Sequence, residues 1–116
     1  MPEPRLLIIS QNSTAPRLYH HVLESGQCET SFAHSIADAL AQIVVSRPSM
    51  LLIDNSFPQF EVHMLLEMLE KKPEWKHVPL IAHGFSNTRH LFPSKTHFTE
   101  SDLEIVTKMS ELCAIV

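Results

Sequence analysis

The side chain best placed to do chemistry in this 116-residue chain is Asp54. It ends the apolar run Met50-Leu-Leu-Ile53 and is followed by a turn at Pro58. An acid at the carboxyl end of a buried strand sits where open parallel sheets bind ligands. The same residue type also caps turns and helix starts, so both roles stand open for Asp54. The eight histidines, at 20, 21, 34, 63, 77, 83, 90 and 97, are the next candidates. His63 and Glu67 share helical ligand spacing, but no Cys-His cluster occurs, so the histidines are read as dispersed and no metal site is expected. Gly26 and Gly84 are the only glycines. No glycine-rich turn therefore lets backbone amides approach a phosphate, which argues against a flavin or nucleotide enzyme. Ser10-Gln-Asn-Ser-Thr14 offers hydroxyls and amides at a helix start, as a cap or as an anion contact.

The elements that must hold these residues alternate in type. Four consecutive apolar residues before Asp54 describe a strand buried on both faces, and Arg5-Leu-Leu-Ile-Ile9 describes a second. Ala15, Leu18, Tyr19, Val22 and Leu23 follow helical spacing up to a stop at Gly26. Cys28 to Ala33 alternates as an edge strand. Ser35-Ile-Ala-Asp38 resembles a capping box before a helix carrying Ile36, Leu40, Ile43 and Val44. A third helix after Pro58 buries Val62, Leu65, Leu66 and Leu69, with Met64 and Met68 read as packing filler. Val78-Pro-Leu-Ile-Ala82 is the next strand and His90-Leu-Phe92 a possible last one. Thr99-Glu-Ser-Asp102 opens a final helix with Leu103, Val106, Met109 and Leu112 facing inward. The expected fold is a doubly wound α/β parallel sheet of four to five strands. Gly84 to Arg89 is too short for the usual crossover of about a dozen residues, so either the fourth helix is shortened or missing, or His90-Leu-Phe92 is not a regular parallel strand beside its predecessor.

Length sets one domain over residues 1–116, with no output domain expected. With 44% hydrophobic and 19% charged residues the composition is globular, and no apolar run approaches the roughly 20 residues that span a bilayer. Thirteen acids against nine scattered Lys and Arg argue against a nucleic-acid surface. Met1-Pro-Glu-Pro-Arg5 is not a secretory leader, and Cys28 and Cys113 lie far apart, which points to free thiols in a reducing cytoplasm. Cys113-Ala-Ile-Val116 has the letters of a prenylation box, but a helix ending in small apolar residues has them too.

With those residues in place the chain resembles a bacterial response-regulator receiver domain of two-component signalling, with a flavodoxin-like fold. The features that carry the resemblance are Leu51-Leu-Ile-Asp54 in the place of the phosphoacceptor strand, Pro58 four residues on, the spacing to Val78-Pro-Leu-Ile81, and Lys95 before the last helix. The resemblance implies a pocket of Ser10, Gln11, Asp54, Ser56, Gly84 and Lys95. Ser10 and Gln11 stand where the family has the acidic pair that holds magnesium, and Gly84 stands in place of the switch hydroxyl. Lys95 is followed by Thr96 rather than proline. These departures imply a pseudo-receiver: Asp54 as a vestigial phosphoacceptor, permanently paired with Lys95, without cofactor or catalysis.

Such a chain is expected to be a phosphorylation-independent protein-interaction module, partnered by a histidine kinase or a downstream effector, or by a second copy in a homodimer. Phe85, Phe92 and Phe98, crowded among polar residues, are the expected partner surface. The alternative is a phosphoacceptor modified on Asp54 by a histidine kinase, for which Mg²⁺ would be required. Neither nucleic acid nor a membrane is expected as a partner.

Overall fold

The computed structural model describes residues 4–26 and 28–115, with side chains described through Cys113. Five strands, β1 (Arg5–Ile9), β2 (Glu29–Ala33), β3 (Met50–Asp54), β4 (Leu80–His83) and β5 (His97–Thr99), form one sheet in the order β2-β1-β3-β4-β5. Every pairing is parallel. This is the doubly wound, flavodoxin-like α/β fold. β3 is central, and all five of its residues are buried, which is why it reads as an unbroken apolar run rather than an alternating one.

The helices cover both faces. Against one lie α3 (Ile36–Ser46) and α4 (Gln59–Glu70), packed on Leu7, Ile9, Leu51 and Ile53. Against the other lie α1 (Ala15–Leu18), α2 (His20–Glu24) and α5 (Asp102–Ile115), where Tyr19, Val22, Ile105 and Met109 meet Leu6, Ile8, Met50 and Leu52. Alternation along β3 sends Met50, Leu52 and Asp54 to the same side, so Asp54 points into the layer made by α1, α2 and α5. Ser35 caps α3 by accepting from the Asp38 amide at 3.0 Å. Ser101 does the same for α5, accepting from Glu104 N at 3.3 Å. These capped starts match the sequence signals.

Several expectations are corrected. The segment from Ala15 is two short helices broken at Tyr19, whose φ of −106° and ψ of 27° leave the helical region. Leu18 and Leu23 are consequently exposed while Ala15, Tyr19 and Val22 are buried. His90-Leu-Phe92 is not a strand: Ser86–Leu91 is a 3-10 segment, and the last strand is His97–Thr99. The crossover from β4 to β5 carries a short 3-10 segment in place of a helix, as expected, but it runs from Gly84 to Thr96 and so is longer than the Gly84 to Arg89 link read from the sequence. On α5, Ile105 rather than Leu103 faces the core, and Leu103 is 67% exposed. On α4, Met64 and Met68 face outward, 50% and 43% exposed, since the sheet admits only the stripe through Val62, Leu65 and Leu66. Val44 at the end of α3 is also exposed.

Candidate functional site

In a parallel sheet the carboxyl ends of the strands line up, and the pairing register places Asp54 beside His83 and His83 beside Thr99. Ser10 follows Ile9, the partner of Ile53, and so comes level with Asp54. The edge of the sheet therefore presents a row of polar residues from four strands. It borders an open cleft of about 340 Å³ lined by Leu18, Tyr19, Asp54, Ser56, His83 and Asp102 among others.

Both carboxylate oxygens of Asp54 are engaged. Tyr19 donates its hydroxyl to Oδ2 at 2.8 Å. The backbone amide of Ser56 donates to Oδ1 at 3.2 Å, and the Ser56 hydroxyl donates to the same oxygen. The bond to the amide two residues on is an Asx turn, so Asp54 does cap its own loop while also meeting Tyr19 across the layer. Ser56 in turn accepts from the Gln11 amide at 2.8 Å, tying the β1 loop to the β3 loop. Asp54 is 7% exposed, and a buried carboxylate needs these donors.

Tyr19 packs edge-on against the His83 ring, with centroids 5.8 Å apart. His83 Nδ1 lies 2.9 Å from Thr99 Oγ1, which continues the polar row. The Tyr19 phenol is held far above its ordinary pKa, first by burial and then by the Asp54 carboxylate, its hydrogen bond to that group, and the charge of Asp102. Ionising it would place two anions together in a low-dielectric site. Tyr19 is a fixed hydrogen-bond donor.

The residues expected to form the pocket separate into two groups. Ser10, Gln11, Asp54, Ser56 and Gly84 lie at the carboxyl edge. Ser10 is buried, with its hydroxyl accepting from the Asn12 amide at 3.3 Å and its carbonyl bonded to the His34 ring at 3.0 Å. Gly84 has φ of +84°, a backbone state that glycine adopts at little cost. Lys95 is elsewhere. It precedes β5, at the opposite edge of the sheet, and its Nζ donates to the carbonyl of Lys76, which precedes β4. The pairing of Lys95 with Asp54 is thus corrected. The register sets Thr99 beside the carboxyl end of β4, and the next residue there is Glu100, an acid, which accepts from the Ser86 amide at 2.9 Å. No lysine or arginine lines the cleft among the described residues.

The phenylalanine surface is corrected as well. Phe85 and Phe92 are buried, at 6% and 8% exposure. Phe92 stacks edge-on with Phe85 at 4.8 Å and with Phe98 at 5.6 Å. The Arg89 guanidinium lies 4.9 Å over the Phe98 ring. The three rings fill the space beneath the shortened crossover instead of facing a partner.

Sequence reasoning missed Tyr19, His83, Thr99 and Asp102 at this site. Tyr19 had the position of a core residue, and its hydroxyl was the available signal, because a buried phenol requires an acceptor. Asp102 was read only as part of a helix start.

The magnesium implied by the resemblance can be tested on these contacts. Mg²⁺ demands octahedral oxygen ligands, typically one or two carboxylates with several waters. Asp54 already has a donor on each oxygen, and Ser10 and Gln11 add no carboxylate. The two positions that stand for the family's acidic pair therefore supply no carboxylate to the ion.

Five parallel strands in this order, with an acid ending the central one, are an arrangement this chain shares in fold with solved receiver domains. A sensor protein from Polaromonas sp. JS666 superposes with a TM-score of 0.80 at 19% identity, over 98% of each chain. The receiver domain of Francisella response regulator 1452 gives 0.77 at 19% identity, over 97% of this chain and 98% of its own. The signal receiver domain of a signal transduction histidine kinase from Syntrophus aciditrophicus gives 0.78 at 20% identity, over 97% of this chain and 92% of its own. Neither a protein-family profile nor a curated protein sequence matches the chain.

Proposed function

We propose that this chain is a receiver-type signalling module that works by docking to another signalling protein and does not take up a phosphoryl group, and that it is not an enzyme. The observation that carries this reading is the closure of Asp54 by Tyr19 and Ser56, with no lysine or arginine lining the cleft among the described residues. Phosphoryl transfer depends on positioning and on neutralising the charge of the transferring group. A carboxylate held by donors on both oxygens, in a cleft that it shares with Asp102 and no Lys or Arg among the described residues, favours neither requirement. Glycine at position 84 also gives a phosphorylated Asp54 no side-chain hydroxyl to pull on, and a modification without differential contacts shifts no population.

The partner in this reading is a histidine kinase or a downstream effector in the cytoplasm. Among the described residues neither cysteine forms a disulfide and no helix is long and apolar enough to cross a membrane. In place of the buried phenylalanines, the exposed residues Phe60, Met64 and Met68 recur at every fourth position of α4. They form a continuous apolar stripe of the kind that marks interaction surfaces. A second copy of the chain could use the same stripe.

The test is incubation with acetyl phosphate and Mg²⁺, followed by intact-mass measurement. The expected spectrum shows the unmodified chain alone. A phosphate adduct that disappears in Asp54→Asn would overturn the reading in favour of a phosphoacceptor served by a histidine kinase.

A further inference from the structure

Beside the cleft the fold assembles a cluster that linear spacing does not show. His20 and His21 open α2, and Asp102 opens α5. One donor atom from each lies within 4.8 Å of the other two. Adjacent residues on a regular helix diverge by about 100°, yet the two imidazoles stack with centroids 4.0 Å apart. The break at Tyr19, between α1 and α2, permits this, because it resets the direction of the chain just before His20.

We propose that His20, His21 and Asp102 form a site for a zinc-type divalent transition ion that staples α2 to α5. Three properties favour it. First, two imidazoles and a carboxylate are a donor set for Zn²⁺ and its neighbours in the first row rather than for Mg²⁺ or Ca²⁺. Secondly, His20 Nδ1 hydrogen-bonds the Arg17 carbonyl at 3.0 Å. A nitrogen bonded to a carbonyl carries the proton, so the neutral ring keeps its lone pair on Nε2; orienting a ligand through its other nitrogen is the usual support for a metal-bound histidine. Thirdly, the cluster is open on one side: both histidines are exposed and Asp102 is half-buried. Solvent or a partner's donor can complete the shell.

Tetrahedral Zn²⁺ with bonds near 2.0–2.1 Å sets its donors about 3.3 Å apart. Rotation of surface side chains closes the remaining gap without moving the backbone. The site is separate from Asp54, which already has its own donors, but it is not isolated from it. His20 follows Tyr19 directly, and Asp102 lines the same cleft. An ion here fixes the end of the chain segment that presents the Tyr19 hydroxyl, and it neutralises the second acid of the cleft.

The experiment is calorimetric titration of the tag-free full chain with ZnCl₂ at pH 7.5, thiols kept reduced, with Co²⁺ as a visible-absorption probe of the coordination geometry. The expected result is one equivalent bound, with the absorption of four-coordinate Co²⁺. His20→Ala, His21→Ala and Asp102→Asn each weaken binding by at least about tenfold, since even a lost outer-shell partner costs that much. His63→Ala, which removes the exposed pair with Glu67 at 3.1 Å, leaves binding unchanged. Circular dichroism verifies that each variant folds, and zinc raises the urea midpoint of the native chain but not that of Asp102→Asn. Absence of binding at 100-fold excess metal in the native chain, or one-site binding that survives all three substitutions, would overturn the proposal.

Discussion

Tyr19 is the only tyrosine in the chain, so its titration can be followed alone. Burial, followed by the Asp54 carboxylate, holds its proton far above the ordinary value of 10.0. In the folded protein no phenolate absorbance should grow in near pH 11, whereas urea-unfolded chain should ionise around pH 10. The linkage follows from the sign: a folded pKa above the unfolded one contributes stability in full below pH 10, and that contribution is lost as pH climbs further. Alkaline unfolding is therefore expected to release the tyrosine and the fold together, and native-like circular dichroism alongside a full phenolate signal at pH 11 would contradict the contact. Tyr19→Phe leaves a buried carboxylate one donor short and should cost about 1–3 kcal/mol in urea unfolding. Asp54 was legible in the sequence because a carboxylate after four apolar residues has few places to go. Its partner was not, because whether an amphipathic helix bends at Tyr19 is decided by packing and not by spacing. Lys95 was misplaced for a related reason: without the register of β5, a lysine two residues before a strand cannot be told from one after it.

The connection between β4 and β5 shows how much of an element can be read and how much cannot. Taking His90 as the next strand left only Gly84 to Arg89 for the crossover and so predicted a shortened helix; a short 3-10 segment is what is found, although the strand begins at His97. What length could not reveal is that the three phenylalanines would turn inward to fill the space, since exposed and collapsed aromatics have the same letters. Gly84 begins this connection at φ of +84°, and a β-carbon there would meet Asn55 Cβ at 3.4 Å. Gly84→Ala should therefore destabilise by roughly 1–2 kcal/mol, mostly from the backbone conformation; an unchanged urea midpoint would mean that the turn relaxes freely. At the other end, His97 opens β5. Its pKa is pushed below the ordinary 6.5 by burial first and by Lys108 second, with Glu111 opposing. A depressed histidine keeps its contribution while neutral and loses it as pH falls below 6.5, where the unfolded chain takes up the proton more readily. The expected signature is a decline in stability from pH 6.5 downward that is shallower in His97→Gln. Equal slopes for the two proteins would remove His97 from the account.

At the scale of the molecule, charge and exposed apolar surface act in opposite directions. The formal charge is −4 with the eight histidines neutral, and the net charge passes through zero as the pH falls to the isoelectric point near 6.0. A protein without net charge loses the repulsion that keeps copies apart. The apolar surface then matters, and it is unevenly distributed: Phe60 is 65% exposed, with Met64 and Met68 one and two turns further along α4. Light scattering across pH 5 to 8 should show self-association that peaks near pH 6 and recedes on either side. The double variant Phe60→Ser, Met64→Ser should flatten that peak. Its stability at pH 8 should stay within about 0.5 kcal/mol of the native chain, because surface side chains that touch little contribute little. A peak that persists in the double variant would place the contact elsewhere, with the exposed Leu103 at the start of α5 the next residue to substitute. A large loss of stability would instead mean that Phe60 and Met64 pack against the core after all, and the outward stripe would no longer stand as the surface through which this fold meets a partner.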